Sequence, residues 1–159
     1  MNYQLPQSLI GFNIFMVGIK GTGMAALAEL LKKQGASITG SDIPQRFFTD
    51  TLLERADIPF FNGFSMENIG GNTELVIHSS AYSSDSNPEL KRANLLKIPT
   101  LTYTDALGYV SSLSTSVGIS GIHGKTTTTA IAGTIIKELN LPASVLVGSG
   151  VPSFDDSAI

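Results

Sequence analysis

The chain contains no cysteine among its 159 residues, so disulfides and thiolate metal sites are excluded. Histidine is nearly absent as well. His78 and His123 stand 45 positions apart, which gives no zinc-ligand spacing. Charged residues make up only 14% of the chain, lysine and arginine form no run, and the formal net charge is −3. An electrostatic footprint for nucleic acid is therefore not expected. A phosphorylated ligand remains open, because backbone amides bind phosphate without a basic surface. No apolar run reaches the roughly 20 residues of a membrane span, and the first residues lack a basic stretch followed by an apolar one. No membrane partner is expected, and a cytoplasmic location is the default.

The hydrophobic fraction, 42%, is ample for a buried core. The length suits one domain plus a piece of a second. Short apolar runs alternate with longer helical patterns. Strands are predicted at Asn13–Val17, Ala36–Gly40, Glu74–His78, Ile98–Leu101, Ser116–Ser120 and Ser144–Val147. Helices are predicted at Thr22–Gln34, from Asn87-Pro88-Glu89 onward with Leu90, Ala93 and Leu96 as its apolar stripe, at Thr104–Leu113, and at Lys125–Leu139. Phe61–Gly71 reads as surface turns, and Ser111–Ser116 as a hinge. Alternating strands and helices imply an α/β fold, a mostly parallel Rossmann-like sheet flanked by helices.

Two glycine loops sit at strand–helix junctions. Gly18-Ile19-Lys20-Gly21-Thr22-Gly23-Met24 follows the first strand. Glycines there let the chain turn sharply and bring a diphosphate close to free amides at a helix start, with Gly23 expected to face it. Asp42 lies 21 residues after Gly21, where such folds place a carboxylate on a ribose hydroxyl. The plain alternative is a tight turn without a ligand. Gly121-Ile122-His123-Gly124-Lys125-Thr126-Thr127 forms the second junction. Gly-Lys-Thr there is a phosphate-loop signature: amides cradle phosphate, Lys125 meets the terminal phosphate, and the Thr126 hydroxyl suits Mg²⁺. Ile119 stands where a strict Walker A motif has glycine.

Both loops in this order, with Gly40-Ser41-Asp42, Ser79-Ser80-Ala81 and Asn87-Pro88-Glu89, resemble the Mur ligases over most of the chain. The resemblance implies an ATP-dependent amide-forming ligase of peptidoglycan synthesis and cell-wall biogenesis. It implies that residues 1–109 hold the UDP part of UDP-N-acetylmuramate through Gly18, Gly21, Thr22, Gly23, Met24, Asp42, Ser79, Ser80 and Ala81. It also implies that residues 110–159 begin an ATP-binding central domain. In that domain Gly121, Ile122, His123, Gly124, Lys125, Thr126 and Thr127 hold ATP, Lys125 is catalytic and Thr126 ligates Mg²⁺. L-alanine is the implied amino-acid substrate. Phe64 stands where the family usually has histidine, and Ile122 where it usually has threonine. A tripeptide-attaching recycling ligase of the same family and an NAD-dependent Rossmann dehydrogenase are the alternatives. After Lys125 the only acids are Glu138, Asp155 and Asp156. None suits the second metal carboxylate of a phosphate-loop domain, so the chain is expected to be an N-terminal portion, inactive alone.

Overall fold

The structure is a computed structural model that describes residues 5, 6, 8–153 and 156–158. Five strands form one parallel sheet: β1 Asn13–Val17, β2 Ser37–Asp42, β3 Phe60–Asn62, β4 Leu75–His78 and β5 Thr100–Thr102. Their spatial order is β3-β2-β1-β4-β5. Helices α1 Thr22–Lys33, α2 Phe48–Arg55, α3 Pro88–Leu95 and α4 Tyr103–Ser112 accompany them, with a 3₁₀ turn at Met66–Asn68. A parallel neighbour can be reached only by a crossover, which these helices supply.

Side chains of β1 alternate between two cores, as the strand period of two requires. Ile14 and Met16 join Leu27 and Leu31 of α1, Leu53 of α2 and Ala106 of α4 on one face. Phe15 and Val17 join Val76, Leu90 and Ala93 on the other, against α3. Leu27, Leu31, Leu53 and Leu75 are fully enclosed, and burying one such side chain contributes about 1.5–3 kcal/mol.

Local signals set the helix ends. α1 stops at Lys32 and Lys33, followed by Gly35 at φ +98; cations and a left-handed glycine are favourable there. The Asn87 side chain accepts from the N–H groups of Glu89 and Leu90 at 2.9 and 3.1 Å, and Pro88 opens α3. Leu90 and Ala93 are buried as predicted, whereas Leu96 lies past the helix end and is exposed. α4 is capped by Thr102, whose hydroxyl accepts from Asp105 N–H while the Asp105 carboxylate accepts from Thr102 N–H.

Several expectations shift. β3 occupies part of the segment read as turns, and α2 has no counterpart in the sequence reading. Three residues are too few to show a period, and α2 mixes polar and apolar residues along its length. Ser116–Ser120 forms no regular secondary structure, and Val117 is 89% exposed. A strand exists through its ladder, and no described strand lies beside this segment.

Helix α5, Lys125–Glu138, forms as predicted, and the last predicted strand moves to β6 Leu146–Val151, antiparallel to β7 Asp156–Ala158. This hairpin rests on α1. Leu146 packs on the first core. The Glu29 carboxylate accepts from Ala158 N–H at 3.1 Å, and the Lys33 ammonium donates to the Ala158 carbonyl at 2.6 Å. Covered by the sheet on one side and the hairpin on the other, α1 is buried from Met24 through Leu31, Glu29 included. The expected division near residue 109 therefore has a contact across it.

Candidate functional site

From β1 the chain winds to β2 and β3 on one side, then to β4 and β5 on the other, so the strand order reverses between β1 and β4. In open α/β sheets a crevice opens at the carboxyl ends of such strands. Gly18 leaves β1 and Ser79 leaves β4, and the Ser79 N–H donates to the Val17 carbonyl at 3.0 Å. The fold thus brings the first glycine loop and Ser79-Ser80-Ala81 to one place, as the sequence reading grouped them.

Gly18 turns with φ +82, and its N–H donates to the Ser41 carbonyl at 2.8 Å. A Cβ there would lie 2.8 Å from the Tyr82 ring and 3.0 Å from the Ser79 Cβ. Both the backbone conformation and the space require glycine. Gly21 donates to the Gly18 carbonyl, and Thr22 opens α1, whose first amides have no intrahelical acceptor. Gly23 has a packing reason to be glycine. Its missing Cβ makes room for Tyr103, whose hydroxyl oxygen would be 2.8 Å away. Met24 points into the core, 4% exposed, so only its backbone faces the loop.

Asp42 is buried, and both of its oxygens are occupied. Oδ2 accepts from Lys20 N–H at 2.8 Å; Oδ1 accepts from Ile43 N–H at 2.8 Å and from the Tyr82 hydroxyl at 3.3 Å. The carboxylate thus holds the loop's own backbone. Tyr82 also packs edge-on to Phe64, with centroids 4.9 Å apart. Burial, then the charge of Asp42 beside it, holds the Tyr82 phenol above its ordinary range.

Lys20 and Glu89 are the residues that sequence reasoning underweighted. The Lys20 ammonium lies 3.3 Å from Asp50 and donates to Asn62 Oδ1 at 2.7 Å. Glu89, singled out in the sequence only as part of Asn87-Pro88-Glu89, is fully buried. It accepts from the Ser41 hydroxyl at 2.5 Å and from the Asn68 amide at 2.7 Å. Burial pushes its carboxyl above the ordinary glutamate range, partly offset by these hydrogen bonds. Position inside the motifs was the available signal for both; neither partner set is written in the local sequence.

The second loop is open to solvent. Residues 121–128 are all exposed, and Gly124 turns in the left-handed region at φ +80. The Lys125 ammonium folds back on its own loop, donating to the carbonyls of Gly121 at 2.5 Å and Ile122 at 3.3 Å. Thr126 and Thr127 lie in the first turn of α5, whose free amides form a donor set that suits phosphate oxygens. His123 is exposed. Among the described residues, no group of three or more His, Cys, Asp or Glu is placed to hold a metal, and no helix is long and apolar enough to cross a membrane.

A parallel sheet with a glycine loop at its switch point, followed by a second glycine loop at the start of a later helix, defines an open α/β protein of the doubly wound class. The model of the Mur ligase family, catalytic domain, matches residues 13–115, and the chain belongs to that family. UDP-N-acetylmuramate–L-alanine ligase of Treponema pallidum (strain Nichols) is 50% identical over 155 residues, covering 98% of this chain and 32% of that protein. The enzyme of the same name from Borreliella burgdorferi is 41% identical over 92% of this chain and 32% of its own length. The chain therefore spans about a third of the length of these relatives. A solved UDP-N-acetylmuramate-alanine ligase from Thermotoga maritima superposes with TM-score 0.82 at 29% identity, covering 92% of this chain and 34% of that one. A UDP-N-acetylmuramate:L-alanyl-gamma-D-glutamyl-meso-diaminopimelate ligase from Neisseria meningitides gives 0.80 at 24% identity, over 93% and 46%; this second likeness concerns the fold alone.

Proposed function

We propose that this chain is the nucleotide-binding front portion of an ATP-dependent ligase that joins L-alanine to UDP-N-acetylmuramate in peptidoglycan synthesis. The observation that carries the reading is the order of the two loops. One lies at the β1/β4 switch point, the other at the start of α5, in a chain half identical to a relative of that name.

In this reading Gly18, Gly21, Thr22, Gly23 and Met24 present backbone to the diphosphate of the UDP-sugar. Ser79, Ser80 and Ala81 line the facing side of the crevice. Asp42 acts by fixing the loop. Gly121 to Thr127 cradle ATP phosphates, with Lys125 leaving its two loop carbonyls to meet the terminal phosphate and the Thr126 hydroxyl facing Mg²⁺. Bound Mg²⁺ supplies charge neutralisation for phosphoryl transfer. The family match over residues 13–115 weighs against an NAD-dependent dehydrogenase. The tripeptide-attaching ligase shares the fold, and the sequence likeness favours the L-alanine enzyme.

A thermal-shift panel of UDP, UDP-N-acetylmuramate, NAD and ATP tests this. At one hundred times its dissociation constant a ligand contributes about 2.7 kcal/mol, a rise of several degrees for a chain of this size. UDP ligands are expected to give the larger shift. A larger shift with NAD would sink the reading.

A further inference from the structure

A lysine inside a glycine loop at a helix start is ordinarily taken to reach for phosphate. Lys20 does the opposite. Its side chain is 1% exposed and turned into the molecule. The ammonium donates to Asn62 Oδ1 at 2.7 Å, the Gln45 carbonyl at 3.0 Å and the Ile43 carbonyl at 3.1 Å, and lies 3.3 Å from Asp50 Oδ2. It also sits 5.1 Å from the centre of the Phe60 ring. An ammonium has three N–H donors, and four acceptors share them here, so no donor is left for a ligand.

The backbone of Lys20 is held by the same segment. Its N–H donates to Asp42 Oδ2 at 2.8 Å, and its carbonyl accepts from the Thr49 hydroxyl at 2.6 Å. The polar atoms of one residue thus join the glycine loop to residues 42–50 and to Asn62 at the end of β3. Asp50, 5% exposed, is the sole carboxylate within ion-pairing distance of this ammonium among the described residues, and it also accepts from Phe47 N–H. An ammonium is costly to bury and is retained only with such partners.

We propose that Lys20 is a positioning residue for the diphosphate: its enclosed ammonium fixes the glycine loop, whose own amides are already bonded, so that the unpartnered amides at the start of α1 face the ligand, and it touches no ligand. This rests on the reading that the first loop binds the UDP moiety. The Lys20 ammonium is occupied by internal acceptors and brings no charge to the ligand, so an anion is received by the free amides at the start of α1, and their placement decides affinity.

Lys20→Met alone leaves Asp50 buried and unpaired and so mixes lost charge with lost tethering. Lys20→Met/Asp50→Asn removes both charges and keeps the shape. Asn62→Ala cuts one tether and spares the ion pair. The three variants and wild type, as the full chain, are compared by melting temperature, by hydrogen exchange of the hydrogen-bonded amides of residues 18–21 without ligand, and by calorimetric titration with UDP. The double variant is expected to recover most of the melting temperature lost by Lys20→Met. Its loop amides still exchange at least tenfold faster than wild type, and UDP binds at least tenfold more weakly. Asn62→Ala gives a smaller change in the same direction with little loss of melting temperature. Wild-type exchange at residues 18–21 in both the double variant and Asn62→Ala overturns the proposal. Failure of wild type to bind UDP would remove the functional reading instead, and the exchange comparison, made without ligand, still decides the tether.

Discussion

At the scale of single residues, the glycine loop shows how one position can be constrained twice. Gly18 adopts a left-handed conformation that costs other residues roughly 1–2 kcal/mol, and its absent Cβ leaves room for the Tyr82 ring and Ser79. Gly18→Ala should therefore lower the melting temperature by several degrees, since 1 kcal/mol corresponds to about 2–4 °C in a chain of this size. A thermal melt within one degree of wild type would show that Tyr82 yields freely and that the turn carries no strain. Gly18 was legible from its place between a strand and a helix. The internal partners of Asp42 were not. Its spacing suggested a ribose partner, and the structure adds donors from Lys20, Ile43 and Tyr82 that no local pattern announces.

At the scale of elements, the buried Glu89 joins the start of α3 to Ser41 at the end of β2 and to Asn68 of the 3₁₀ turn. Burial raises its carboxyl above the ordinary glutamate range. The folded state then keeps its proton to higher pH than the unfolded state does. Between the ordinary glutamate value and the folded one, the unfolded chain binds fewer protons, so this group's contribution to stability falls as pH rises. Glu89→Gln mimics the protonated form at every pH. The melting temperature of Glu89→Gln relative to wild type should increase from pH 4 to pH 7. A difference that stays constant over that range would mean that Glu89 titrates like an exposed carboxylate. The ends of α1, α3 and α4 were close to their predicted places because caps and glycines act within a few residues. β3 and α2 were not seen, because neither carries a clear period.

At the scale of the whole molecule, the hairpin of β6 and β7 closes the outer face of α1. Removing residues 144–159 should uncover that face, lower the melting temperature and raise binding of a hydrophobic dye. An unchanged melt would show that the hairpin adds nothing to the first unit. The same scale governs activity. Phosphoryl transfer depends on positioning and metal-borne charge, and the described residues include no cluster placed to hold a metal. Losing one charge-stabilising group often costs ~10²–10³ in rate. These 159 residues are therefore expected to release no phosphate when given ATP, Mg²⁺, L-alanine and UDP-N-acetylmuramate. Turnover that depends on L-alanine and disappears in Lys125→Ala would overturn this expectation.

The sequence by itself determined the alternation of strands and helices, the two glycine loops, the Asn87 cap and the family likeness. Each of these is a local pattern, complete within a few residues. Tertiary structure decided what those residues touch. The acceptors of the Lys20 ammonium lie at positions 43, 45, 50 and 62, and the donors to the Glu89 carboxylate come from positions 41, 65 and 68. Tertiary structure likewise left Ser116–Ser120 without a ladder among the described residues and set Ala158 against Glu29 and Lys33. A buried charge is tolerated only where distant segments bring it partners, and a strand persists only where another lies beside it. Both conditions depend on residues far away along the chain, so no local pattern announces them.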